Sequence, residues 1–399
     1  MTSISHTATT ADVRAAPKAK ARNAALDRAR TFITVLVLVH HSVIAYTYYG
    51  HTDKQSFLGF DGVVLFNDSF FMACMFLISG LFVRDSLKRR GPLNYLGQRA
   101  WRLAVPYLVA IFVLMPIAYY PTFLRYHLPG TTDFNFLHFW WHTLTIGPWP
   151  SGPEWFLWVL LTLDAIAALV WLAAPRAIET TGRFISALRD RPAQAFAGFL
   201  LFSVAVYLPL HLLYGDAAWL DPAHFPLPVQ GSRILLYAGY FFVGVGIGAG
   251  GLPTGPFAEN GEIARCWKWW LAFAAVFYGL ILLLVYAHHN WVDFNAPPLW
   301  WRVAYGVAFA LFSGAMAFSE PAIFQRFAQV PMRLLDALRP SAYGIFLVHY
   351  IFIIWLQYSI YDYSWPAVVK FAIVFTGTLS LSWALVVLLR RSPLVARMI

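Results

Sequence analysis

The sequence predicts an all-α polytopic membrane protein with about ten transmembrane helices and both termini in the cytoplasm. Three observations lead there. The 399-residue chain is 59% hydrophobic with a mean hydropathy of +0.59, and only 12% of its residues are charged. That is about half the charged share of an ordinary soluble domain. Ten apolar runs recur, roughly 31–49, 63–83, 103–120, 155–174, 195–213, 233–250, 267–288, 299–318, 342–360 and 366–389. Each approaches the ~20 residues a bilayer-spanning helix needs. Finally, basic residues sit in alternate loops. With the N-terminus inside, only Lys54, Arg125, Arg233, Arg302 and Lys370 fall on the outer side, leaving 24 of the 29 Lys and Arg inside. That asymmetry is the positive-inside signature.

The same distribution decides against nucleic acid as a partner. The net charge of +10 belongs to membrane topology, and lipid is the expected surroundings. Aromatics make up 18% of the chain, with 17 Trp, and many flank the apolar runs as interfacial belts do. The two cysteines, Cys74 and Cys266, form no disulfide framework and no CxxC pair. Residues 1–25 read as a disordered basic tail, 26–392 as one membrane domain, and 393–399 as a short cytoplasmic tail. The first apolar run is too long for a cleaved signal peptide, and no small-residue cleavage site follows it.

Taken in order, the first run carries the strongest signal. Arg30 stands at its start, and His40 and His41 lie in its middle. Eleven residues at 1.5 Å each put His41 roughly 16 Å deeper than Arg30. An ionisable residue at that depth is a functional candidate by default. Neighbouring helical residues point about 100° apart, so one histidine is expected to face the interior, and periodicity alone leaves the choice open.

The second run holds Asp68, which needs a partner or water, and ends in Phe76-Leu-Ile-Ser-Gly80, where Ser79 and Gly80 permit close helix approach. A basic loop follows, closing on Arg99-Ala-Trp-Arg102. Three residues apart, Arg99 and Arg102 share a face if helical, a pattern suited to phosphate. Glu154 opens the fourth run, either orienting an acceptor hydroxyl or capping the helix. His349 lies about 12 Å into the ninth run, at a depth comparable to His41.

The outer segments 120–154, 214–232 and 289–300 are rich in Trp, Pro and polar residues, among them Asp216, Asp221, His224, His289, Asn290, Asp293 and Asn295. Together they suggest an aromatic vestibule of the composition that binds sugars. His138 and His142 are four apart but lack a third ligand, so no metal site is expected. Gly244-Val-Gly-Ile-Gly-Ala-Gly-Gly251 lies in an apolar helix with no preceding strand, which favours small-residue helix packing over a phosphate loop.

This constellation resembles the integral membrane acyltransferase family 3. That family includes polysaccharide O-acetylases, nodulation-factor acylases and the glucan-succinylating biosynthesis protein C group. The resemblance spans about 22–390. It rests on Leu26-Asp27-x-x-Arg30 with ten residues before His41, Phe76-Leu-Ile-Ser-Gly80, Arg99-x-x-Arg102 before Pro106, Trp155-Phe-Leu, and Ser341-x-Tyr343 leading to Leu347-Val-His349. It implies His41, rather than His40, as the catalytic histidine, and Arg30, Arg99 and Arg102 as holding a cytoplasmic acyl-CoA; His349 and Glu154 are further catalytic candidates from their own positions in the chain. The implied reaction moves an acetyl or succinyl group from acyl-CoA to a hydroxyl of a carbohydrate or glycan at a bacterial inner membrane, with no tightly bound cofactor. The run Pro153-Glu154-Trp155-Phe156 departs from the acidic motif of the O-acetylase branch and is closer to the glucan-modifying branch. The alternative class is a proton-coupled secondary transporter using His41, His349 and Asp68. Inverted repeats or broken midplane helices would favour it, and neither is evident in the sequence.

Overall fold

The structure, a computed structural model, describes residues 23–50, 52–126, 135–147, 152–216, 218–220, 228–252, 255–259, 261–291 and 296–399. Most of the predicted basic tail, and Asp221, His224, Asp293 and Asn295, lie outside the described residues.

Helix α1, Ala24–Ile44, begins two residues before the expected domain start. Asn23 explains this, because its side chain accepts the Leu26 N–H at 3.1 Å and caps the helix. The chain continues through α2 Leu58–Asp68, α3 Phe71–Gly80, α4 Val83–Arg90, α5 Pro92–Val109, a π turn at Ala110–Leu114, α6 Met115–Tyr126, α7 Phe136–Thr145 and α8 Trp155–Ala173. Then come α9 Pro175–Ala187, α10 Pro192–Tyr214, a two-residue hairpin pairing Trp219–Leu220 with Val229–Gln230, α11 Ile234–Gly250 and α12 Glu262–Arg265. The remainder is α13 Trp267–Trp291, α14 Leu299–Phe327, α15 Arg333–Leu338, α16 Ala342–Ser359, α17 Ala367–Leu389 and α18 Pro393–Met398.

Nine helices among the described residues are long and apolar enough to cross a membrane. The expected tenth is α1. Its 21 residues reach about 31 Å, but Asp27, Arg28 and Arg30 in its first two turns set it apart. These charges are placed inside the protein. Arg28 binds both oxygens of Asp336 at 2.8 and 2.7 Å and donates to the Ala328 carbonyl at 2.5 Å. Helix α1 is the central helix, in contact with α2, α3 and α14 to α17.

Two expected spans differ in shape from the sequence reading. The 63–83 run is a broken element, α2 to α4, interrupted at Ser69–Phe70. Arg233 makes the break tenable. It grips both Asp68 carboxylate oxygens at 2.9 and 2.5 Å and takes the freed Asp68 carbonyl at 2.9 Å. The 103–120 run belongs to a 35-residue span, Pro92–Tyr126, bent through a π turn and three prolines. A proline has no N–H, so the carbonyl four residues earlier loses its helical partner. Each of the three orphans is recaptured. Tyr343 Oη donates to the Arg102 carbonyl below Pro106, Trp140 to Phe112 below Pro116 at 2.7 Å, and Trp355 to Ile117 below Pro121 at 3.0 Å. Two of these donors lie on α16, which is thereby fastened along the bent span.

The glycines of α11 pack against α3. A Cβ at Gly244 or Gly248 would collide with the Leu77 or Leu81 carbonyl oxygen, and one at Gly80 with that of Phe241. The glycine-rich run is thus a helix contact, as its apolar setting indicated. Helix α18 and the buried Ile399 close the C-terminal end against the main core.

On the outer side, Lys370 of α17 is fully buried and donates to Asp53 at 2.8 and 3.1 Å. The pair pins the loop between α1 and α2. Lys370→Met leaves the Asp53 carboxylate buried without its cation, with only the Gln55 N–H still bonded to it at 2.9 Å, which is expected to cost about 3–5 kcal/mol. Thermal unfolding in detergent checks this, and Lys370→Met with Asp53→Leu should recover most of the loss.

Candidate active site

Helices α1, α6 and α16 enclose a cavity of about 230 Å³. This is smaller than the roughly 300–1,000 Å³ of drug-sized ligand pockets, so it suits part of a substrate. His41 and Ile44 come from α1, Ala45 and Thr52 from the loop after it, Tyr119, Pro121, Thr122, Arg125 and Tyr126 from α6, and Tyr350, Ile354, Gln357 and Tyr358 from α16. The α16 residues recur at helical spacing and therefore share one face.

The structure separates the two histidines that periodicity left open. His41 lines the cavity. His40 is buried and does not line it, its ring 5.1 Å from Phe71, edge-on to His41 at 5.2 Å and within electrostatic reach of Asp68 and Arg233. His41 lies between His349 and Tyr350, with both ring centroids 5.4 Å away. Neither of its ring nitrogens hydrogen-bonds a described protein group, while its backbone carbonyl accepts from Gln357 at 3.4 Å. The His41 ring is therefore free to bond a ligand in the cavity.

His349 is fully buried behind it. Its Nδ1 lies 2.6 Å from the Phe346 carbonyl, which only accepts, so Nδ1 carries the proton. Nε2 is then the lone-pair nitrogen of the neutral ring, and it is buried without a partner. The two histidines at similar depth thus form one polar cluster.

Glu154 sits at the N-cap position of α8 but makes no capping hydrogen bond. The capping reading fails for a geometric reason. The side chain turns inward, fully buried, with both carboxyl oxygens unpartnered. It is within electrostatic reach of Tyr119 and Tyr350, whose rings pair at 5.7 Å and which border the His41 cavity.

The arginines expected at the basic face are more committed than their spacing implied. Arg30 donates to the Ile78 carbonyl at 3.1 Å and stacks on Phe82 at 4.6 Å, binding α1 to the Phe76–Gly80 segment. Arg99 forms an ion pair with Asp164 of α8, Nε to carboxylate 2.7 Å, and the Tyr95 hydroxyl donates to the same carboxylate. Arg102 is exposed. Tyr343 lies within electrostatic reach of both Arg99 and Arg102, so these three markers form one group.

Of the outer segments expected to form the vestibule, residues 127–134, 148–151, 221–227 and 292–295 lie outside the described residues. Among the described ones, Pro121, Thr122, Arg125 and Tyr126 line the cavity. Asp216 instead accepts from Tyr207 and pairs with His211 at 3.0 Å, and His289 packs on Tyr49. The transporter relay is not assembled either, because Asp68 is held by Arg233. Among the described residues, no group of three or more His, Cys, Asp and Glu is arranged to hold a metal.

At the cavity rim, Lys54 donates to Asp362 at 2.7 Å. That bond raises the Lys54 ammonium above its ordinary range and holds the Asp362 carboxyl below its own. Sequence reasoning missed Tyr119, Tyr350, Asp164 and Arg125. Tyr350 and Gln357, seven apart, were detectable as sharing one face of the helix that carries His349.

The fold and site define a multi-pass membrane protein with a histidine exposed in an enclosed cavity. The family model of the acyltransferase 3 domain matches residues 23–387, and the chain belongs to that family. It is a membrane enzyme that transfers acyl groups. No curated protein matches the chain significantly.

Proposed function

We propose that this enzyme moves an acetyl or succinyl group from cytoplasmic acyl-CoA to a hydroxyl of a carbohydrate or glycan, in a bacterial inner membrane. The observation that carries the reading is His41, whose ring faces the cavity with no protein hydrogen bond. As general base, it takes the acceptor hydroxyl proton while the oxygen attacks the thioester carbonyl. The new C–O ester bond forms, the C–S bond breaks, and the proton returns to the CoA thiolate. As acyl carrier, it holds the same group on a ring nitrogen between two such exchanges. Imidazole suits either role near neutral pH.

The surrounding groups support the same chemistry. His349, with its Nε2 lone pair beside His41, is suited to sharing or positioning the proton. Glu154 is suited to orienting the acceptor hydroxyl, and the Tyr119 and Tyr350 hydroxyls to donating to the carbonyl oxygen as charge develops on it. Arg102, with Arg99 beside it, is suited to the phosphates of CoA.

The test is transfer without a gradient. Purified protein in nanodiscs is given labelled acetyl-CoA or succinyl-CoA and a periplasmic-type glucan. Label on the glucan is the expected result. Absence of transfer from both donors, with gradient-driven solute uptake in proteoliposomes instead, would overturn the reading.

A further inference from the structure

We propose that one substrate of the His41 cavity is an acid, and that its carboxylate or phosphate binds Arg125 at the outer mouth. This rests on the acyl-transfer reading and names the substrate class of that site.

Arg125 is the single permanently charged side chain among the described residues that line the cavity. The others are apolar, hydroxyl, amide or imidazole. Its guanidinium sits over the Tyr361 ring, Cζ to ring centroid 3.8 Å, and donates to the Thr52 carbonyl at 3.3 Å. A guanidinium has five N–H donors, so most of its capacity stays open. The Nε–H is buried with no acceptor.

Among the described residues, the nearby carboxylates are engaged elsewhere. Asp362 is bound by Lys54, and Asp53 by Lys370 at 2.8 Å. Asp362 contributes a field at Arg125 without forming an ion pair to it. A partly buried guanidinium without a carboxylate is costly to maintain, and stacking on Tyr361 fixes its planar fork. A fixed fork is the geometry that recognises a carboxylate or phosphate through two parallel hydrogen bonds.

The anion is not the phosphate of CoA held at the other face. Arg102 and Arg125 lie 23 residues apart along one bent helical span, about 35 Å. The acid therefore belongs either to the acceptor or to the far end of a dicarboxylic acyl group. Both place the charge at Arg125 while the reacting group meets His41.

The experiment measures binding first and turnover second. Thermal unfolding of the detergent-solubilised full chain is followed with glucuronate against glucose, and with succinyl-CoA against acetyl-CoA. The expected result is a rise in the unfolding midpoint for one acid over its neutral counterpart. It should be lost in Arg125→Gln and reduced in Arg125→Lys, which keeps the charge but not the fork. A rise with glucuronate assigns the anion to the acceptor, and one with succinyl-CoA assigns it to the acyl group. In transfer assays, Arg125→Gln should raise KM for that acid at least tenfold. Equal shifts for acid and neutral ligand, or an acid shift that persists in Arg125→Gln, would overturn the proposal. An Arg125-dependent acid shift without any acyl transfer would leave it standing and defeat the acyltransfer reading alone.

Discussion

Replacement of His41 by alanine is expected to reduce acyl transfer by about 10²–10⁴-fold, the range a positioned acid–base group supplies. The expectation follows from access. His41 lines the cavity and carries ring nitrogens unclaimed by the protein, whereas His349 is fully buried behind it with Nδ1 already bonded. His41→Gln is the sharper variant, because it keeps a hydrogen-bonding side chain of similar size but cannot cycle a proton. His40→Ala is the comparison, since His40 packs on Phe71 and edge-on against His41 at 5.2 Å without lining the cavity. It should lower transfer per folded molecule far less than His41→Ala does. Size-exclusion profiles establish folding, and label transfer gives the rate. Full activity in folded His41→Gln would remove His41 from the chemistry.

Much of this arrangement was legible in the sequence because membranes punish ambiguity. Apolar runs of the right length, basic loops on one side and ionisable residues inside helices each have few physical explanations. His41 and His349 were visible for that reason. Their separation from His40 was not, because a helix turns by 100° per residue and the sequence does not say which face meets the cavity. The partners were hidden for a different reason. Asp164 and Arg99 are 65 residues apart, Lys370 and Asp53 are 317, and no local pattern relates them. The proline bends lay in between. Pro106, Pro116 and Pro121 announce orphaned carbonyls, but not that Tyr343, Trp140 and Trp355 would supply the missing donors. Tyr343 shows how a sequence marker acquires a reason, since it closes the helix beside Arg102 and lies between the two arginines' fields.

The two arginines of Arg99-x-x-Arg102 are expected to behave differently, although their spacing treats them as a pair. Asp164 is fully buried, so Arg99→Ala strands a carboxylate in the membrane core. Breaking such a pair costs about 3–5 kcal/mol, enough to abolish expression of a marginally stable protein. Loss of activity in that variant would say nothing about the donor. Arg102→Ala removes an exposed side chain, while its backbone carbonyl continues to accept from Tyr343. It should raise the KM for acyl-CoA about tenfold, the cost of one charge-assisted phosphate contact, and the unfolding midpoint measured in parallel separates donor binding from stability. Arg99→Leu with Asp164→Leu isolates the remaining question, because it removes both charges and replaces them with apolar volume. If Arg99 contributes charge to the donor site, the double variant folds but binds acyl-CoA more weakly. If Arg99 serves only to neutralise Asp164, the double variant binds donor like wild type, and Arg102 carries the phosphate contact alone.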